Sequence, residues 1–209
     1  MSLSHSRLTS PVIPAQQALA RLREGNRRFV ETGSGSSVRG SPSAEQQPFA
    51  IVLGCSDSRV PAELIFGQGF GDLFVIRVAG NIVAPSQIGS VEFAAERFGT
   101  RLAVVMGHTQ CGAVAATLEQ LRRPEANQSP NLRAIVGRIR PSVEPLLTGA
   151  AAHDPAELAA AATRANIRAS VKQLRHGSDL LEGRIQHEGL MIVGAEYCVE
   201  TGTVEFLPD

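Results

Sequence analysis

Four short apolar runs, Phe49–Gly54, Phe74–Val78, Leu102–Gly107 and Leu190–Ala195, have segments of helical periodicity between them. Three of the runs are almost continuous, the pattern of strands covered on both faces. Strands that alternate with helices are joined by crossovers, and crossovers make a parallel sheet. The intervening helices carry their own punctuation. Ser86, the stripe Ile88, Val91, Ala95 and Phe98, and then Gly99 supply a start, a face and a stop. Gly112–Leu121 opens directly after the third run. Asp154-Pro155-Ala156-Glu157 starts a long helix that ends at His176-Gly177, and Ser178 starts a shorter one with Leu181 and Ile185.

Thr201-Gly202 separates the fourth run from Thr203–Leu207, which suits a hairpin and an antiparallel edge strand. The expected fold is therefore α/β: a mostly parallel central sheet of four strands plus one antiparallel edge strand, with helices on both faces. Ahead of it, residues 1–45 form an N-terminal helical arm and loop. Pro14 and the apolar positions Ala15, Ala18, Leu19, Leu22, Phe29 and Val30 give an amphipathic helix, weakened at Gly25 and ended by Thr32-Gly33-Ser34-Gly35. Gly33–Ser43 reads as a tether. The helix either folds back on its own sheet or packs on a partner subunit. The polar insertion Arg122–Pro130 reads as an exposed loop.

With 209 residues and 43% hydrophobic content, residues 1–209 can bury one substantial core without disulfide staples, so a single domain is expected. Twenty basic and twenty acidic residues cancel, so no overall field draws the chain to nucleic acid or to an anionic membrane. No run of about eighteen apolar residues occurs and Met1–Pro14 lacks a secretory pattern. The sequon-like Asn127-Gln128-Ser129 therefore carries no weight. Three cysteines cannot all pair, which argues for a reducing, cytoplasmic setting.

The chemistry lies at the ends of two runs. Cys55-Ser56-Asp57-Ser58-Arg59 follows the first, and His108-Thr109-Gln110-Cys111 follows the third. If those runs are neighbouring parallel strands, their C-terminal ends bring two thiols, an imidazole and a carboxylate into one crevice, the usual ligand position in open α/β sheets. Two cysteines and one histidine are a donor set used in catalytic zinc sites with an open fourth position. Cys111 also precedes a helix N-terminus, where a thiolate is favoured. Asp57 either ligates the metal and closes the site, or turns to a cation and leaves room for water. Arg59, two residues on, can hold the carboxylate in a bidentate pair, so Asp57–Arg59 is a candidate gate. With water in the fourth position, the metal generates hydroxide near neutral pH, and ionised Asp57, an acceptor only, orients it. Cys198 has no partner motif and reads as a core residue.

These segments, Cys55-Ser56-Asp57-Ser58-Arg59-Val60 and Gly107-His108-Thr109-Gln110-Cys111-Gly112, with Arg77-Val78-Ala79-Gly80-Asn81 between them, resemble the β-class carbonic anhydrases. The likeness runs from about Ala15 to Phe206. It implies one zinc ion per subunit held by Cys55, His108 and Cys111, with Asp57 a ligand only in a closed state. It implies reversible hydration of carbon dioxide to bicarbonate and a proton, with Asp57 and Arg59 in catalysis. It also implies a homodimer or a dimer of dimers, the first helix reaching over the partner. The bicarbonate-inhibited subtype is matched at Val60 and Arg77 but has a tryptophan where this chain has Val52. The plant-like, open-site subtype is matched at Gln46 and Phe74, while its pocket valine and tyrosine correspond to Ala79 and Phe93. In that likeness Gln46 donates to a substrate oxygen, and Phe74, Ala79 and Phe93 line a small apolar pocket.

Two rival readings use the same residues. The same zinc site could hydrolyse carbonyl sulfide or carbon disulfide. Alternatively, a permanently ligating Asp57 would make a non-catalytic zinc or redox module, for which Arg59 would have no purpose. Gly67-Gln68-Gly69-Phe70-Gly71 is a poor nucleotide-binding loop, because it precedes a strand instead of joining a strand to a helix.

Overall fold

A computed structural model describes residues 12–33, 45–123, 129–149 and 154–208. Most of the Gly33–Ser43 tether, the centre of the Arg122–Pro130 insertion and nearly all of Met1–Pro14 lie outside these residues. The strands are β1 (Ala50–Gly54), β2 (Leu73–Arg77), β3 (Leu102–His108), β4 (Met191–Tyr197) and β5 (Val204–Phe206). They form one sheet in the order β2-β1-β3-β4-β5. The first four are parallel and β5 is antiparallel to β4. The expected sheet is therefore the observed one. The chain leaves β1 toward β2 on one side and β3 toward β4 on the other, so the crevice beyond the C-terminal ends of β1 and β3 is a switch point of the topology.

Alternation along the central strands divides the core. Ala50, Val52, Leu102, Val104 and Met106 face α1 (Ala15–Thr32) and the short α2 (Ala62–Ile65), where Leu19, Leu22 and Phe66 are buried. Ile51, Leu53, Ala103 and Val105 face α3 (Pro85–Phe98), α6 (Pro155–His176) and α7 (Asp179–His187), through Val91, Ile167 and Leu181. A third cluster caps the C-terminal end of the sheet, where Val114 and Leu118 of α4 (Gly112–Arg122) meet Ile139 and Val143 of α5 (Pro130–Val143) and Leu158 of α6.

Of the two placements open to the N-terminal helix, the structure takes the first: α1 lies on its own sheet. Asn26 donates to the carbonyls of Ile65 (3.2 Å) and Gly202 (2.8 Å) and accepts from the Val204 amide at 2.9 Å, which ties the helix to the β4–β5 hairpin. Gly25 is the point of closest approach, since a Cβ there would stand 1.8 Å from the Phe66 carbonyl oxygen. The glycine that weakens the helix locally is thus what lets it seat on the sheet. Two helix starts follow the sequence signals, whereas α3 begins at Pro85 after Ala84 without a side-chain cap, so Ser86 lies inside the helix and does not start it. Asp154 accepts from the amides of Ala156 (2.8 Å) and Glu157 (3.4 Å), and Ser178 from that of Leu181 at 3.1 Å. Helix α5 escapes the sequence reading, because Gly137 and Pro141 interrupt it and only Ile139 and Val143 are buried.

Candidate functional site

Cys55 leaves β1, His108 ends β3, and Cys111 caps α4, so each donor is delivered by an element end. One donor atom from each of these three buried residues lies within 4.8 Å of the others, and all three cysteines of the chain are free. His108 Nδ1 lies 2.8 Å from the Thr109 carbonyl oxygen, which only accepts, so Nδ1 carries the proton. Nε2 is then the lone-pair atom. It is fully buried and, among the described residues, has no hydrogen-bond partner. A buried acceptor left without a donor costs stability unless something electrophilic fills the place.

The thiols make the same case. A hydrogen bond from Cys111 lowers the Cys55 thiol, and the resulting thiolate pushes Cys111 up. One thiolate thus disfavours a second beside it. A divalent cation offsets the repulsion and allows both sulfurs to ionise. The Gly80 amide donates to Cys55 Sγ at 3.4 Å, a contact made possible by the left-handed backbone at Gly80 (φ 69°). Two thiolates, one neutral imidazole with its outer nitrogen anchored, and an amide donor to sulfur suit zinc.

Asp57 stands beside this trio, its Oδ2 3.9 Å from His108 Nε2. Both carboxylate oxygens are engaged by Arg59: Nε donates to Oδ1 at 3.0 Å, Nη2 to Oδ2 at 2.8 Å, and the Arg59 amide to Oδ1 at 2.9 Å. Those hydrogen bonds hold the Asp57 carboxyl far below the usual carboxylate range. Arg77 fixes the loop itself, donating from Nε to the Cys55 carbonyl (3.0 Å) and from Nη2 to the Asp57 carbonyl. Arg59 Nη1 reaches Gln110 Oε1 at 3.1 Å, and Gln110 Nε2 donates in turn to Glu200. The sequence reading missed this last pair and the Gly80 donor. The position of Gln110 between two donors was the available signal for one; Glu200 precedes the hairpin Thr201-Gly202 and carries no motif.

The candidate pocket residues are distributed differently. Ala79 adjoins the cluster through Gly80. Phe74 is in register with Ile51, four residues and about 13 Å short of Cys55 along the strand. It packs with Phe93 (6.1 Å between centroids) and Phe98 (6.1 Å) in an aromatic patch, and Phe93 is 53% exposed. Gln46 is exposed next to Gly71, at the N-terminal end of the sheet. Within one chain these three residues and the metal donors are not brought together.

A carbonic anhydrase family model matches residues 50–204. The chain is 44% identical to a carbonic anhydrase of Mycolicibacterium smegmatis over 58% of this chain and 61% of that one. It is 36% identical to carbonic anhydrase 2 of Mycobacterium tuberculosis over 87% of each. Among solved structures, a β-carbonic anhydrase of Aspergillus fumigatus superposes with a TM-score of 0.70 at 26% identity, covering 92% of this chain and 89% of that one. A family match that begins at β1 and ends in β5, enclosing every donor of the cluster, makes this chain a member of the β-class carbonic anhydrases.

Proposed function

We propose that this chain catalyses the reversible hydration of carbon dioxide to bicarbonate and a proton, as one domain spanning residues 1–209, through an open site on Cys55, His108 and Cys111. The observation that carries the reading is the lone-pair nitrogen of His108, buried and without a donor beside two thiols, while Asp57 is turned onto Arg59. Zinc held by those three side chains supplies the Lewis acidity that makes a water molecule acidic near neutral pH. Asp57 does the aiming. Ionised and accepting from Arg59 on both oxygens, it keeps a lone pair for the hydrogen of the attacking water, so that the oxygen lone pair faces carbon dioxide. Arg59 holds the carboxylate away from the metal donors, and Arg77 fixes the loop that carries it. An Asp57 committed to Arg59 disfavours the permanently closed, non-catalytic module.

The remaining pocket side chains serve this site from a second copy. Gln46 and the Phe74–Phe93 patch lie about 13–16 Å back along the sheet from Cys55, by a rise of about 3.3 Å per residue. Phe74 belongs to β2, an edge strand whose side chains are largely half-buried, and Phe93 is exposed beside it. An aromatic patch on an open sheet edge supports a homodimer or a dimer of dimers in which each copy lends these residues to the other's pocket. Thiols that must stay reduced to bind metal support a cytoplasmic setting. Among the described residues, no helix is long and apolar enough to cross a membrane.

Metal analysis with stopped-flow hydration tests the activity: about one zinc per chain and rapid hydration are expected, and a zinc-loaded, inactive protein would refute it. Carbonyl sulfide and carbon disulfide belong in the same assay. Phe93→Asp should convert the assembly to monomer on size exclusion and lower activity with zinc retained; an unchanged assembly would refute the shared pocket.

A further inference from the structure

Arg59 has more donors than Asp57 can use, and its outer side is held by a second chain of contacts. Nη1 donates to Gln110 Oε1 at 3.1 Å, and Nη2 approaches the Gln110 carbonyl oxygen at 3.5 Å. Gln110 sits between His108 and Cys111 with a left-handed backbone (φ 58°), an uncommon conformation for a residue with a side chain. Its amide could present either end to Arg59. Glu200, on the turn after β4, removes the choice: its carboxylate accepts only, so it takes Gln110 Nε2 and leaves Oε1 for the guanidinium, which donates only. The carboxylate is itself fixed by the Thr109 hydroxyl (3.0 Å) and the Cys198 thiol (3.2 Å), and the Thr109 hydroxyl accepts from the Val199 amide at 3.1 Å.

We infer that Glu200 and Gln110 are positioning residues: Glu200 sets the orientation of the Gln110 amide, Gln110 holds the Arg59 guanidinium, and Arg59 thereby keeps Asp57 off the metal. Neither touches the reacting atoms. The inference rests on the proposed open site, and it gives the hairpin after β4 a part in keeping that site open. Without Glu200, the Gln110 amide is free to turn its NH2 toward the guanidinium. Donor then faces donor, and the hold on Arg59 is lost.

The test uses the zinc-loaded full chain and its cobalt-substituted form. Glu200→Ala should keep its full metal content and lose about tenfold or more in kcat/KM, the scale of outer-shell changes at metal sites. Glu200→Asp, which keeps an acceptor-only carboxylate for Gln110, should stay within about threefold by the same scale. In the cobalt protein, thiocyanate should perturb the visible spectrum of wild type and Glu200→Asp but much less that of Glu200→Ala, where Asp57 occupies the position. Wild-type activity and spectra in Glu200→Ala would overturn the inference, and so would an equal loss in Glu200→Asp. If the wild-type protein does not hydrate carbon dioxide yet the spectra separate as stated, the positioning stands and the assigned reaction fails.

Discussion

Replacing Gly80 with alanine probes how the fold builds the site. A Cβ at Gly80 would lie 2.7 Å from Ile139 Cδ1 and 3.1 Å from Ala113 Cβ, and the backbone is left-handed with φ 69°. The conformational cost for a residue with a Cβ is about 1–2 kcal/mol. Overpacking against the fully buried Ile139 adds about 1–3 kcal/mol. Gly80→Ala should therefore destabilise the zinc-loaded protein by about 2–5 kcal/mol in urea unfolding followed by circular dichroism. The two parts separate in a double-mutant cycle, because Ile139→Val removes the clashing Cδ1 and alone costs about 0.5–1.5 kcal/mol. The double variant should recover the overpacking share and keep the conformational one. Displacing the Gly80 amide from Cys55 Sγ should also raise zinc affinity loss to about 10–100-fold, read with a chromophoric chelator. Stability of Gly80→Ala within about 0.5 kcal/mol of wild type would refute the reasoning, as would a cycle with no coupling.

Arg59→Ala should retain zinc but lose about 100-fold in hydration rate through misplacement of Asp57, and near-native activity would refute the gate. Because the folded Asp57 lies below its unfolded value, its pairing stabilises above the ordinary aspartate range and is lost as pH falls. The difference in melting temperature between wild type and Arg59→Ala should thus be present at pH 7 and vanish in acid. Zinc release to a chelator should accelerate as pH falls, since Cys55, Cys111 and His108 must take up protons to let the ion go; a pH-independent rate would count against this donor set. Val52 is fully buried under α1 where the regulated subtype carries tryptophan, so millimolar bicarbonate should inhibit without a sigmoidal response. Removing residues 1–32 should unfold the chain rather than merely dissociate subunits, because it uncovers the Val52, Val104 and Met106 face; a stable truncated monomer would contradict this.

The sheet was legible because its signal is repeated. Each of β1, β3 and β4 presents apolar residues to two covered faces, so their runs read as strands even when an end shifts by one or two residues. The donors were legible for a related reason: Cys55 follows β1, His108 ends β3 and Cys111 lies three residues on, and parallel pairing in register brings the strand ends together. Helix α5 was not legible. Its buried positions are few, and Gly137 and Pro141 lower helix propensity; packing on Gly80 and α6 outweighs both. The seat of α1 was half legible, since its apolar stripe says that a face is covered but not by what; Asn26 decides it by bonding to three backbone groups far along the chain.

The site divides at the same boundary between local and long-range information. Asp57 and Arg59 are two residues apart, so a guanidinium–carboxylate pair follows from spacing alone, and the structure adds only its distances. Gln110 and Glu200 are 90 residues apart and meet because β4 runs parallel to β3, with His108 paired to Tyr197. No local pattern contains that meeting. Yet once the register is known it follows directly: three residues beyond the last pair, the turn after β4 brings a carboxylate next to the turn that holds His108 and Cys111. Contacts of this kind escape a linear reading because they depend on strand order, and strand order is what converts a pair of motifs into a held geometry. If Glu200→Ala leaves the site untouched, that conversion ends at Arg59, and the dyad must be positioned by the Asp57–Arg59 loop and Arg77 alone.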